Sequence, residues 1–165
     1  MQGVTRLVFL GPGCRLVVSE AALDRLLGYR QVDEEAREAG GVLLGRWVRD
    51  TTDYVVDRIG EPGSSDVRKR TFFRRARQPA LRLIEEAWRG SAGSTLYLGE
   101  WHTHPEPNPT PSCLDQRGWS RIARKAKFVP PHLFFVIVGI SRVGGWGYHR
   151  QSGTLQRMSL KEDSD

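Results

Sequence analysis

Short runs of alternating apolar and polar residues dominate this chain, interrupted by three stretches of helical period. Thr5 to Leu10 and Arg15 to Val18 read as strands around the turn Gly11-Pro12-Gly13. Ser19 reads as an N-cap, with Ala21, Ala22, Leu23, Leu26 and Leu27 on the helical face that follows. Glu34 to Glu38 continues or restarts that helix, and Gly40-Gly41 breaks it. Val42 to Trp47 and Tyr54 to Ile59 read as paired strands around a turn near Asp50 to Asp53, and Glu61 to Asp66 as a loop. Ala80 to Arg89 sets Leu81, Ile84, Ala87 and Trp88 on one side of a helix. Thr95 to His104 reads as a strand. Four prolines between Pro105 and Pro111 then impose a stiff, extended loop. Ser112 to Lys127 reads as a helix whose late Arg and Lys residues suit its dipole. Leu133 to Ile140 is apolar without alternation, as in a strand buried on both faces. Gly145 to Arg150 and Thr154 to Leu160 read as the last strands, and residues 161–165 as a frayed tail. This order predicts an α/β (α+β) fold over residues 1–160, a single domain with one curved mixed β-sheet flanked by helices.

A chain of 165 residues, 39% of them hydrophobic, buries a core without disulfide or metal staples. No apolar run approaches the roughly 18 residues that cross a membrane. The first residues lack the features of a secretion signal, and the two cysteines form no Cys-x-x-Cys, so a reducing cytoplasm is the expected setting. The net charge of +6 owes much to Arg68-Lys69-Arg70 and to Arg74, Arg75 and Arg77. Such a cluster can meet nucleic acid or an acidic protein. Without interleaved stacking aromatics beyond Phe72 and Phe73, it reads instead as a solvated helix start and loop.

The chemistry concentrates in Trp101-His102-Thr103-His104-Pro105, followed by Ser112 and Asp115. Residues two apart on a strand share a face, so His102 and His104 converge at the strand end. Asp115, in the first turn of the next helix, can face back toward them. Two imidazoles and one carboxylate hold zinc and leave a fourth position for water, the pattern of a catalytic site. Ser112-x-x-Asp115 also has the spacing of a capping box, and Ser112 can serve both purposes. From spacing alone, Glu38, Glu100 and Glu106 all stand open as the accompanying carboxylate. His132 and His149 are isolated and read as structural or surface residues.

The run His102-x-His104, seven residues, Ser112, two residues, Asp115 resembles the JAMM motif of the MPN (JAB, Mov34) metalloproteases without a mismatch. Glu38-Ala39-Gly40-Gly41-Val42-Leu43-Leu44-Gly45 resembles that family's glutamate-bearing approach to a strand. The phrase from Tyr97 to Pro105, with Pro111-Ser112 and Trp119, is similar to a bacterial branch encoded beside ubiquitin-activating-like and conjugating-like enzymes in antiphage operons, including CBASS and Bil. The resemblance implies an MPN/JAB-like (cytidine-deaminase-like) fold, with His102, His104 and Asp115 as ligands of one catalytic zinc ion. It implies Glu38 as general base and acid, and Ser112 as the group that steadies the tetrahedral intermediate. Cys113 has no assigned role. The activity implied is that of a zinc isopeptidase, cleaving after the C-terminus of a ubiquitin-like or similarly conjugated protein, with the cognate activating and conjugating enzymes as partners. The acyl-side tail would lie along strand edges and the loop Glu61 to Arg70. Processing of a ubiquitin-like or sulfur-carrier precursor is the alternative within the same chemistry. A non-catalytic MPN scaffold or nucleic-acid-binding module is the alternative outside it, disfavoured because the whole ligand set is present. Neither membrane nor nucleic acid is expected as a partner.

Overall fold

The computed structural model describes residues 6–11, 13–127 and 130–161. In chain order the strands are β1 (Leu7–Gly11), β2 (Cys14–Val18), β3 (Gly40–Trp47), β4 (Asp53–Ile59), β5 (Val67–Lys69), β6 (Phe72–Arg74), β7 (Leu96–Thr103), β8 (His132–Val138), β9 (Val143–His149), β10 (Thr154–Arg157) and β11 (Ser159–Lys161). The helices are α1 (Glu20–Gly28), α2 (Arg77–Gly90) and α3 (Cys113–Lys125). Nine strands form one sheet in the order β10-β9-β8-β7-β3-β4-β2-β1-β11, and β5 pairs with β6 in a separate hairpin. The pairs β2–β4 and β7–β8 are parallel; the others are antiparallel. Thr5, Pro12 and the tail beyond Lys161 lie outside the described residues. No described helix is long and apolar enough to cross a membrane.

The unbroken apolar run of β8 follows from its place between two layers. Phe134, Val136 and Val138 point into one core with Leu43, Leu98, Trp101 and the α1 residues Ala22, Leu23 and Leu26. Leu133, Phe135 and Ile137 point the other way, onto Trp119 and Ala123 of α3. On that second side α2 covers Val42 and Leu44 through Ala80, Leu83, Ile84 and Ala87. Every residue of β8 is therefore buried.

Three expectations need correction. Thr154 to Leu160 is two strands rather than one. Arg157 still pairs with Trp146 of β9, whereas Ser159 pairs with Leu10 of β1. Between them Met158 is buried and donates its N–H to Gly145 O. The chain thus passes from one edge of the sheet to the other, and the sheet curls until it nearly closes. Residues 34–38 are not helical. Asp33 to Glu35 form a turn and the chain then runs irregularly to Gly40, with Arg70 Nη1 binding the carbonyls of Asp33 and Glu34. Most of the basic segment is the β5–β6 hairpin rather than a solvated loop, and only Arg77 lies at a helix start, that of α2. Three arginines of the segment are engaged: Arg68 with the carbonyls of Arg37 and Glu38, Arg70 with those of Asp33 and Glu34, and Arg75 with Glu100.

Two glycines have clear reasons. Gly40 does not break a helix; a Cβ there would run into the Phe73 ring, so glycine lets the hairpin seat on β3. Gly99 has φ of +143° and sits at a β-bulge, where Leu98 is the extra residue between the pairs Leu43–Gly99 and Leu44–Tyr97. A Cβ on Gly99 would overlap the Phe134 carbonyl of the neighbouring strand. Gly99→Ala is expected to cost about 3–5 kcal/mol from backbone strain and strand separation. A urea midpoint unchanged from wild type would contradict this.

Candidate metal centre

β7 ends where three segments meet. Its neighbour β3 runs antiparallel with Gly40 opposite His102, and Thr103 N–H donates to Ala39 O at 2.9 Å. Glu38 lies just before the start of β3, close enough to His104 and Asp115 for its carboxylate to feel both charges. On the other side His104 N–H donates to Val138 O at 3.0 Å, continuing the parallel pairing of β7 with β8. The loop of prolines is fixed by backbone bonds: Ile140 N–H to Glu106 O and Arg142 N–H to Pro107 O. It delivers the chain to Ser112, the N-cap of α3.

Among the described residues, His102, His104 and Asp115 bring their ligand atoms within 4.8 Å of one another. The two Nε2 atoms are 3.0 Å apart. Asp115 Oδ1 is 3.3 Å from His102 Nε2 and Oδ2 is 3.2 Å from His104 Nε2. The capping box is also present. Ser112 N–H donates to Asp115 Oδ2 at 2.7 Å, and Asp115 N–H donates to Ser112 Oγ at 3.0 Å. Asp115 therefore serves the helix and faces the imidazoles together. The cap leaves the Ser112 hydroxyl proton uncommitted.

The electrostatics fit a site built for positive charge. Burial alone would pull the His104 ring down, but its hydrogen bonds to the carboxylates of Asp115 and Glu106 outweigh it and push its pKa up to about 9. Burial likewise works to raise Asp115, yet its bonds to His102 and His104 hold that carboxyl well below the usual range. Glu38 is 6% exposed. Burial pushes its pKa up to about 7, against the pull of His104 and with the repulsion of Asp115 and Glu106.

An acid whose folded pKa lies above its unfolded one costs nothing below the unfolded value. The cost grows as pH rises from 4.5 to about 7 and is complete above that. Metal-free Glu38→Gln is therefore expected to be more stable than metal-free wild type at pH 8, by on the order of 1–3 kcal/mol. The gap should close as pH falls toward 4.5. Denaturation in chelator across this range checks it, and equal stability at pH 8 would refute it.

The rival carboxylates have other partners. Glu100 shares the His102 face, but Arg75 grips it through two bonds of 2.9 and 2.6 Å and Tyr97 Oη–H donates to it at 2.9 Å. The bulge at Gly99 is what puts Tyr97 and Glu100 on one side. Glu106 accepts from Thr110 N–H at 2.9 Å and lies 3.0 Å from His104 Nδ1. It orients the ring from behind, the arrangement common to metal-ligating histidines. The sequence offered one signal for this, a carboxylate two residues after His104 in a stiff loop. Cys113 is exposed. His132 is buried against Tyr54 Oη at 2.9 Å, and His149 lies over it in the next strand.

Residues 20–154 match the family described as prokaryotic homologs of the JAB domain, and the chain belongs to that family. It is 44% identical over 108 residues to a protein of Vibrio cholerae named CD-NTase/cGAS isopeptidase, over 66% of this chain and 68% of that one. An Escherichia coli protein of the same name is 39% identical over 104 residues, 63% of this chain and 65% of its own. A protein of Desulfitobacterium hafniense, solved in solution, shares the fold with a TM-score of 0.58 at 19% identity, covering 85% of this chain and 87% of that chain.

Proposed function

We propose that this chain is a zinc-dependent isopeptidase acting on a conjugated protein, releasing an acyl-side C-terminus from a lysine amine. The observation that carries this reading is the convergence of His102 Nε2, His104 Nε2 and the Asp115 carboxylate beside buried Glu38. Two imidazole nitrogens and a carboxylate are a zinc donor set, and the lift of His104 by its carboxylate neighbours marks a place where positive charge is stabilised. Zinc, when bound, supplies Lewis acidity and makes water acidic enough to furnish hydroxide near neutral pH.

The chain's own residues supply the rest. His102, His104 and Asp115 would hold the ion, with Glu106 fixing the His104 ring. Glu38 takes the proton of the attacking water and delivers it to the leaving lysine nitrogen, a task that suits a carboxyl with a pKa near neutrality. The Ser112 hydroxyl donates to the carbonyl oxygen as it gains negative charge. A groove lined by Gly41, Val42, Gly60, Ser64, Arg75 and Leu83 offers an extended acyl-side tail a place beside β3. We assign these roles to one domain over residues 1–160, working in the cytoplasm.

The names of the relatives favour a CD-NTase as the conjugated protein. The family resemblance also admits a ubiquitin-like protein. The test joins the C-terminus of each to a reporter, through a lysine side chain in one set and through a linear peptide bond in another. Release of reporter from the lysine-linked CD-NTase is the expected outcome. Cleavage of the linear ubiquitin-like fusion alone would assign the chain to precursor processing instead.

A further inference from the structure

We propose that Gln31 is a positioning residue for Glu38, acting through Thr103 and the β5–β6 hairpin; this rests on the reading of Glu38 as the proton carrier. Gln31 lies between α1 and β3 and is 1% exposed. A buried amide is costly unless its polar atoms are bonded, so each of its partners is informative. Nε2 donates to Ala36 O at 3.2 Å and to Arg70 O at 2.8 Å. Oε1 accepts from Thr103 Oγ1 at 2.9 Å, and Thr103 Oγ1 in turn accepts from Ala39 N–H at 3.0 Å. One side chain therefore ties together the segment that carries Glu38, the residue between His102 and His104, and the turn of the hairpin.

The peptide groups on both sides of the Glu38 Cα are fixed by this assembly. Glu38 N–H donates to Lys69 O at 2.8 Å. Glu38 O accepts from Arg68 Nε at 2.8 Å, and the N–H of the same peptide group, that of Ala39, ends on Thr103 Oγ1. Glu38 precedes β3, so no regular ladder holds it. Side chains and the hairpin do what a ladder does elsewhere. The hairpin is held at its turn by Gln31, so loss of the amide loosens both clamps on Glu38 together. The metal-facing rings keep their own supports, since Glu106 and Asp115 are untouched.

The test uses the full chain loaded with zinc and the lysine-linked CD-NTase reporter, or whichever fusion wild type cleaves. Gln31→Met and Thr103→Val should each lower kcat about 10- to 100-fold, the usual cost of a displaced catalytic group. KM and zinc stoichiometry should stay at wild-type values. Thr103→Ser, which keeps Oγ, should restore kcat, and the double variant Gln31→Met with Thr103→Val should be no slower than the slower single one. Should Gln31→Met not fold, the comparison of Thr103→Val with Thr103→Ser decides. Wild-type kcat in Gln31→Met and Thr103→Val would overturn the proposal, as would losses that track loss of zinc or of folded protein. Zinc-loaded wild type that cleaves no fusion would sink the proposed function itself, a different failure.

Discussion

Glu38→Gln should lower kcat by about 10²–10⁴-fold, the contribution of a positioned general acid–base group. Zinc content and KM should hold, because Glu38 is outside the group of ligand atoms that converge at the end of β7. Glutamine keeps the size of the side chain and removes its basicity, so the loss isolates proton transfer. Burial makes the expectation specific: Glu38 is a buried carboxylate just before β3 whose charge neighbours are His104 and Asp115. Glu100→Gln makes the contrast. Its carboxylate is bound by Arg75 and Tyr97, so that substitution should disturb the α2 side of β7 rather than the reaction. Steady-state rates of the two variants on one substrate check this. Equal losses in both, or cleavage by Glu38→Gln at the wild-type rate, would remove Glu38 from the mechanism.

Asp115→Asn should abolish zinc uptake and activity together while leaving α3 intact. Asparagine at this position can still accept Ser112 N–H, so the capping box largely survives. What disappears is the charge that faces both imidazoles at 3.2–3.3 Å. A helix cap is worth about 1 kcal/mol, and its residue would matter little to metal content. A ligand's loss instead costs most of the affinity and, with it, turnover. Metal analysis of the purified variant beside its melting temperature separates the two roles. Full zinc occupancy in Asp115→Asn would reduce Asp115 to a cap.

How much of this was legible in the sequence depended on range. The convergence of His102 and His104 follows from strand parity alone, and Pro105 to Pro111 leaves the chain few ways to reach Ser112. The burial of β8 on both faces could be read from its lack of alternation. What the sequence concealed was decided by partners far along the chain. Asp33 to Glu38 has helical composition, yet carbonyls taken by Arg68 and Arg70 hold it open. The β5–β6 strands are three residues each, too short for a periodic signal, and are tied down by the bond from Glu38 N–H to Lys69 O. Thr154 to Leu160 contains no breaker; it divides at Met158 because the two edges of the curled sheet meet there. The engagement of Glu100 could not be read from spacing, because the bulge at Gly99 resets which of its neighbours share its face.

A metal held by His102, His104 and Asp115 is proposed to enable this chain to cleave conjugates. The most direct test is the zinc content of the purified protein, measured beside cleavage of the lysine-linked fusions before and after chelation and after zinc is returned. The expected result is one zinc per chain, with cleavage lost on its removal and regained on its return. Cleavage undiminished in metal-free protein would contradict it.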